Sequence, residues 1–346
     1  AHVKALLAAH VHRKAAVSFA TAVVDDPAGL GRVLRDPSGQ VANIMEHAEA
    51  SEEVRRIREI NAGLYVFDAP AIFDLLAAVK PVGPKKERYL TRAVELAIAR
   101  GLAVATVSVP PEASLGVNTL AEAAVARAVL QSRKLAALMT GGVIVDDPAS
   151  VSVDLDAFAG PGTRLLPGTS LGGSTRVGRE CVLGPDAHLA DAVLGDRVVV
   201  RSSYVTGSRL EDGVEIGPYA HVRPGSRVRR GAHVGTHAEI VRTDLGEGVR
   251  MHHFSYLGDA VVGAGTNIGA GAISANFDGR TKHPTVSGRG AFIGSGSVLV
   301  APARVGERAV VGAGAVVPAR RTVRSHSVVV GVPARAIRMG RPGRAE

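Results

Sequence analysis

The 346-residue chain carries 41 Lys and Arg against 32 Asp and Glu, a formal charge of +9, and is 46% hydrophobic with only 3% aromatics and no Trp. That is enough apolar material for a sizeable core, but one built from thin layers of Val, Leu, Ile and Ala. No apolar run approaches the ~20 residues that span a bilayer, no signal peptide is visible, and scattered Arg without a nucleic-acid-binding signature points to anionic metabolites rather than to RNA or DNA.

The single Cys181 excludes an internal disulfide, which fits a reducing cytoplasm. It is read as a small buried side chain. The chain opens at Ala1, not Met, inside a predicted helix over Val3 to Ala9, so an upstream segment is expected.

Residues 1–118 alternate strand-like and helix-like segments. Val17 to Val24 is β-rich and ends in the turn signal Asp25-Asp26-Pro27. Asn61 to Phe67 reads as a second strand, and Ile72–Val79 and Leu90–Ala99 have helical spacing. This is an α/β pattern without a Gly-rich loop after an opening strand. From Thr119 to Met139 the chain is rich in Ala and Leu, with no internal Gly or Pro, and predicts one long connecting helix ended by Gly141-Gly142.

After Val145 aliphatic residues recur every six positions. The runs are Leu165, Leu171, Val177, Leu183, Leu189; then Ile216, Val222, Val228, Val234, Ile240; then Ile293, Leu299, Val305, Val311, Val317. A helix would drift out of phase with a period of six. Six residues fit one flat side of a triangular coil, aliphatic side chain inward, which predicts a left-handed parallel β-helix. So narrow a prism leaves its reactive side chains outside. It needs neighbouring copies to form a cleft, so an oligomer is expected. The phase breaks at the polar stretch Ser274 to Pro284, read as a functional loop.

Reactive groups concentrate between Arg223 and Lys282. Acetyl transfer to an amine needs a base near neutral pKa, donors for a developing oxyanion, and cations for an acceptor phosphate. His253 is the candidate base, with Arg223, Lys282 and the Asn276 loop close by in sequence.

The run from Val214 to Val317 resembles the acetyltransferase half of the bifunctional bacterial N-acetylglucosamine-1-phosphate uridylyltransferase/glucosamine-1-phosphate N-acetyltransferase. The matching strings are Ile216-Gly217-Pro218, Arg223-Pro224-Gly225, Gly231 to Gly235, Tyr256 to Asp259, Asn267 to Gly271, and Asn276 to Gly279 with Lys282. The resemblance implies that His253 is the general base. It implies sugar-phosphate contacts at Arg223, Tyr256, Asn267 and Lys282. It implies acetyl-CoA contacts at Ala270, Asn276, Phe277, Ser295 and Ala313. It also implies a cytoplasmic homotrimer with the site between subunits, in the pathway to UDP-N-acetylglucosamine and the cell wall. Asp25 to Arg32, Glu46-His47, Glu59 to Gly63 and Gly116 to Asn118 resemble the second half of the family's uridylyltransferase domain. There Gly31, Glu46 and Asn61 would touch UDP-sugar and Asn118 would be a Mg2+ ligand, provided the first half is supplied. The expected domains are a partial nucleotidyltransferase-like α/β domain over 1–118, a linker helix over 119–142 and the β-helix with a C-terminal arm over 143–346.

Four departures matter. Val241 stands where the family has a phosphate-binding Lys, Phe277 where it has Tyr, Gly331 where it has an Arg near the coenzyme, and Arg92, in the divergent 85–92 segment, where it has an acid. Arg242, Arg250 or Arg335 could supply the missing charge. Uridylyl transfer by these residues alone is not expected. Alternative readings are transfer to another amino sugar, a non-catalytic scaffold, and a metal lyase built on His233, His237, His252 and His253.

Overall fold

The computed structural model describes residues 2–81 and 86–337, which form two compact units, Ala1–Val129 and Leu130–Glu346. Lys85 lies outside the described residues. Among the described residues no helix is long and apolar enough to cross a membrane.

The first unit holds a five-stranded sheet in the order Val41–Met45, Arg32–Arg35, Glu59–Phe67, Val17–Val23, Val104–Ser108. The last two run parallel and the other pairs antiparallel. Helices Ala69–Ala78 and Thr91–Ala99 bury Leu75, Ala93, Val94 and Ala97 against Phe19, Val33 and Ile44. The predicted strands and helices are present. The Arg32–Arg35/Val41–Met45 hairpin and the strand Val104–Ser108 are additions, because their short apolar runs carry little periodic signal. Arg92 is held by Glu49 at 2.8 Å and Glu95 at 2.6 Å, so its charge has local partners.

The connecting helix runs from Leu120 to Thr140. A capping box starts it: the Thr119 hydroxyl accepts from the Glu122 N–H at 3.2 Å, and the Glu122 carboxylate accepts from the Thr119 N–H at 2.8 Å. Gly142, at φ 88°, closes it with a left-handed turn that only glycine adopts without strain.

Beyond it the chain winds into a parallel β-helix of the left-handed hexapeptide type, with three faces of ten, ten and twelve short strands. The first face runs from Ser152–Val153 up to Val316–Val317, the second from Phe158–Ala159 to Thr322–Val323 and the third from Ile144–Val145 to Arg335–Ile337. We call the corner between third and first faces the leading edge, and that between first and second the trailing edge. All fifteen aliphatic residues of the three hexad runs lie inside, none more than 3% exposed. Each such burial is worth about 1.5–3 kcal/mol, so these inward stacks, one on each face, dominate the unit's stability. Small residues two positions earlier, such as Thr163, Thr169, Cys181 and Ala187, line the inner corners. Cys181 is fully buried there, and burial pushes its thiol pKa up, as befits a packing residue.

The apparent gaps between hexad runs are not gaps in the coil. Leu194, Val200, Val205 and Leu210 link Leu189 to Ile216, and Leu245, Met251, Leu257, Val262 and Ile268 follow Ile240, all buried. Several of these steps are five residues, which hides them from a six-residue reading. Four five-residue steps fall on the trailing edge and turn on a left-handed residue: Asp191, Gly207, Arg242 or Asp259.

Candidate active site

Each candidate residue takes its place from its position in the coil. On the leading edge, hydrogen bonds from Gly271 N to Phe254 O (2.6 Å), Gly296 N to Ala270 O (2.7 Å) and Gly314 N to Ser295 O (2.8 Å) stack successive corners. The third-face register Arg250–Asn267–Phe292–Val310 places His253, Ala270, Ser295 and Ala313, each three residues further on, at matching positions along that edge, one coil apart. The column beside them is Gly269, Gly294 and Gly312; a Cβ at the first two would strike the backbone of the next coil, and at Gly312 the Val330 side chain. His253, Ser295 and Ala313 are exposed. Among the described residues the amides of Ala270, Ser295 and Ala313 donate to no other backbone group, leaving N–H donors along the edge.

Tyr256 lies on the first face, in register between Glu239 and Ile273. Arg223 follows Val222 on the same face and donates Nη1 to Glu239 Oε1 at 2.7 Å. A Cβ at Gly258 would collide with both the Asn276 amide and the Tyr256 hydroxyl, so these two polar groups converge above that glycine.

The trailing edge supplies an anchor. Arg242 and Asp259, both at left-handed corner positions, form a two-pronged ion pair at 2.6 and 2.9 Å. Asn276, only 7% exposed, donates Nδ2 to Asp259 at 2.5 Å. Arg242 first, and then the Asn276 amide, holds the Asp259 carboxyl below the usual carboxylate range. Arg242 is thus committed to Asp259 and does not stand free to replace the lysine that Val241 displaces. Val241 itself is buried.

The polar loop is an ordered hairpin. Phe277 bridges Lys282, and His283 N donates to Asn276 O at 2.7 Å. Asp278 accepts from the amides of Arg280 and Thr281 at 2.8 Å and meets His283 Nε2 at 2.7 Å, interactions that push its pKa far down. Phe277 and Lys282 are exposed at its tip, and the Lys282 charge is felt at Asp259.

Asn267 is placed apart from Arg223 and Tyr256, on the third face in register between Arg250 and Phe292. Nearby, His233 and His252 pack edge to face with ring centroids 4.4 Å apart, and His252 lies 6.4 Å from His253. His237 stacks on Tyr219 instead. Among the described residues no three His, Cys, Asp or Glu side chains of one chain are arranged to hold a metal ion. Glu239 and Asp259 are residues of the candidate site that linear order does not single out. Both sit in the matching region, but their partners are a coil away.

In the first unit the sheet gathers the predicted UDP-sugar residues. Asn61 N donates to Gly31 O at 2.9 Å, and the Glu46 carboxylate lies beside Gly31 and accepts from Thr91 at 2.7 Å. Asn118 precedes the long helix, its N–H donating to Glu122 at 2.6 Å. That carboxylate is spent on the cap, and a magnesium site at Asn118 would need further ligands from the first half of the domain.

The chain is 42% identical over 318 residues to the bifunctional protein GlmU of Heliobacterium modesticaldum, covering 92% of this chain and 69% of that one. It is 38% identical over 312 residues to the same-named protein of Carboxydothermus hydrogenoformans (90% and 70% covered) and 40% identical over 314 residues to that of Brevibacillus brevis (90% and 68%). No family model matches the chain. Among solved structures, an Arabidopsis UDP-N-acetylglucosamine acyltransferase overlaps 54% of this chain and 72% of its own, at 17% identity and a TM-score of 0.43.

Proposed function

The chain belongs to the family of bifunctional GlmU proteins, and from that premise we propose that it transfers the acetyl group of acetyl-CoA to the amine of glucosamine-1-phosphate. The observation that carries this reading is the single line of His253, Ala270, Ser295 and Ala313 along the leading edge, with the Tyr256–Asn276 pair across the first face. In this scheme the His253 imidazole accepts a proton from the acceptor ammonium. The freed amine attacks the thioester carbonyl. Edge amides such as that of Ala270 donate to the oxyanion that forms. Collapse breaks the C–S bond, and the departing thiolate of coenzyme A takes the second proton that the nitrogen gives up as it becomes an amide, while the first passes from His253 to solvent. Arg223, Lys282 and Asn267 hold the sugar phosphate, Asn267 coming from a different face and, on this reading, from an adjacent copy in a homotrimer.

A second acceptor, another amino sugar, is favoured by one observation: buried Val241 offers no cation where the resemblance expects one. The first unit gathers Gly31, Glu46 and Asn61, and the proposal covers acetyl transfer alone.

Coenzyme A release with glucosamine-1-phosphate, galactosamine-1-phosphate and free glucosamine tests the reading. Glucosamine-1-phosphate should be the best acceptor, and His253→Ala should lower turnover by about 10²–10⁴. No release with any acceptor from folded protein would leave only a scaffold role, and full activity in the variant would remove His253 from the mechanism.

A further inference from the structure

The arginines of the β-helix are not treated alike along its length. In the middle coils Arg223, Arg227, Arg229 and Arg242 each pair with a carboxylate at 2.5–2.7 Å. From Arg280 to Arg335 the chain carries nine Lys and Arg against one acid, Glu307. Among the described residues of that stretch the only Arg–carboxylate contact is Arg308–Glu307 at 4.0 Å. Three of these arginines converge. Arg304 on the second face and Arg320 and Arg321 on the trailing edge line a cavity of about 240 Å³ with Pro284, Pro302 and Thr322. No carboxylate lines it.

Its position is specific. Pro284 closes the hairpin that carries Asn276, Phe277 and Lys282, so the cavity lies on the same edge as Asn276, higher up the coil. First-face strands pair Ile273 with Val298 and Val298 with Val316, which puts Arg320 and Arg321 level with Ala313. Ala313 stands three coils above His253, roughly 14 Å at the usual strand spacing. That matches an extended pantetheine arm with its thioester at His253 and its phosphates at the Ala313 level. Gly331 brings no side chain where the resemblance expects the coenzyme's arginine.

We propose that the Arg304–Arg320–Arg321 cavity is the subsite for the phosphate groups of acetyl-CoA, taking the place of the arginine missing at Gly331. This rests on the acetyl-transfer reading above. The cofactor runs along the leading edge of one copy, and the trailing edge of the copy packed against it supplies the arginines. Guanidinium forks suit phosphate oxygens, and three without internal partners lose no ion pair when a phosphate arrives.

The test uses the full chain with Arg304→Gln, Arg320→Gln and Arg321→Gln, singly and together, titrated calorimetrically with coenzyme A and followed by acetyl-transfer kinetics. The triple variant should bind coenzyme A at least about tenfold more weakly, since even one charge-assisted hydrogen bond is worth that much. Its ionic-strength dependence should flatten, while kcat at saturating acetyl-CoA and KM for the sugar phosphate stay unchanged. Unchanged coenzyme A affinity in the folded variant would overturn the inference and leave acetyl transfer standing. A raised KM for the sugar phosphate instead would give the cavity to the acceptor and also overturn it. Wild-type protein that neither binds coenzyme A nor releases it would sink the acetyl-transfer reading itself. Should the triple variant not fold, the single variants decide, each expected to weaken binding about threefold or more.

Discussion

Gly258 shows how little room the first face leaves beside the Asp259 corner. Its missing Cβ is the space in which the Tyr256 hydroxyl and the Asn276 amide meet. Gly258→Ala should force both side chains away while leaving the coil largely intact, because the added methyl meets side-chain ends and not backbone. We expect kcat/KM for acetyl transfer to fall at least about tenfold with only a modest loss of stability, read from kinetics and a thermal melt. His233 makes a different prediction. Burial first, and the adjacent His252 second, lower its pKa from the ordinary 6.5. The folded state then binds fewer protons than the unfolded chain in the window from 6.5 down to the folded value. Stability should therefore fall as pH drops through that window, with the full penalty below it. In His233→Gln this penalty is absent, so its melting temperature relative to wild type should be higher at about pH 5.5 than at about pH 7.5. An identical pH profile in the two proteins would contradict this account.

Among the elements, the coil around Ser274 is where the hexad rule and the structure part company. Ser274 occupies an inward position that the pattern reserves for Val or Leu, while Ile273 faces outward and is 42% exposed. The hairpin that leaves the trailing edge here interrupts the ladder, and the Gly258 N–H finds its acceptor in the Ser274 hydroxyl at 2.7 Å, which also lies 3.2 Å from Gly258 O. Ser274→Val would restore the sequence pattern and strand that amide. The cost of a buried unsatisfied donor, about 1–3 kcal/mol, adds to the strain of fitting two methyl groups where one hydroxyl packed, about 1–3 kcal/mol, and the two together exceed the roughly 1.6 kcal/mol gained by burying those methyls. The variant should be less stable by a denaturant titration despite its more regular core. Equal or greater stability would mean that the hydroxyl does not serve the ladder. Legibility follows the same physics. Six-residue faces are visible in linear order because each repeats one inward side chain, so Leu165 to Leu189 could be read directly. Five-residue corners such as Ile240 to Leu245 shift the phase and hide, and the Arg242–Asp259–Asn276 chain depends on contacts one coil apart that no spacing rule displays. In the first unit the strand Val17–Val23 and the helix Thr91–Ala99 were legible, whereas the hairpin from Arg32 to Met45 depends on pairing across a turn.

At the scale of the whole molecule, the candidate groups lie on one face and its two borders, with Asn267 around the corner on another. The interior of the prism is closely packed and His253 lies open on its leading edge, so edge and loop enclose a substrate together if a second copy lays its trailing edge against the leading edge of the first. A threefold ring repeats that head-to-tail contact and closes. The prediction is complementation. His253→Ala and Asn276→Ala chains should each be nearly inactive alone. Mixed and reassembled at equal amounts, they should regain about a quarter of wild-type activity, because one interface in four draws an intact His253 from one copy and an intact Asn276 from the next. A molecular mass of three chains by light scattering should accompany that recovery. If mixing restores nothing although mixed oligomers form, both groups act within one copy. The first face alone would then have to bind the acceptor, and Asn267, facing away from it, would drop out of the site.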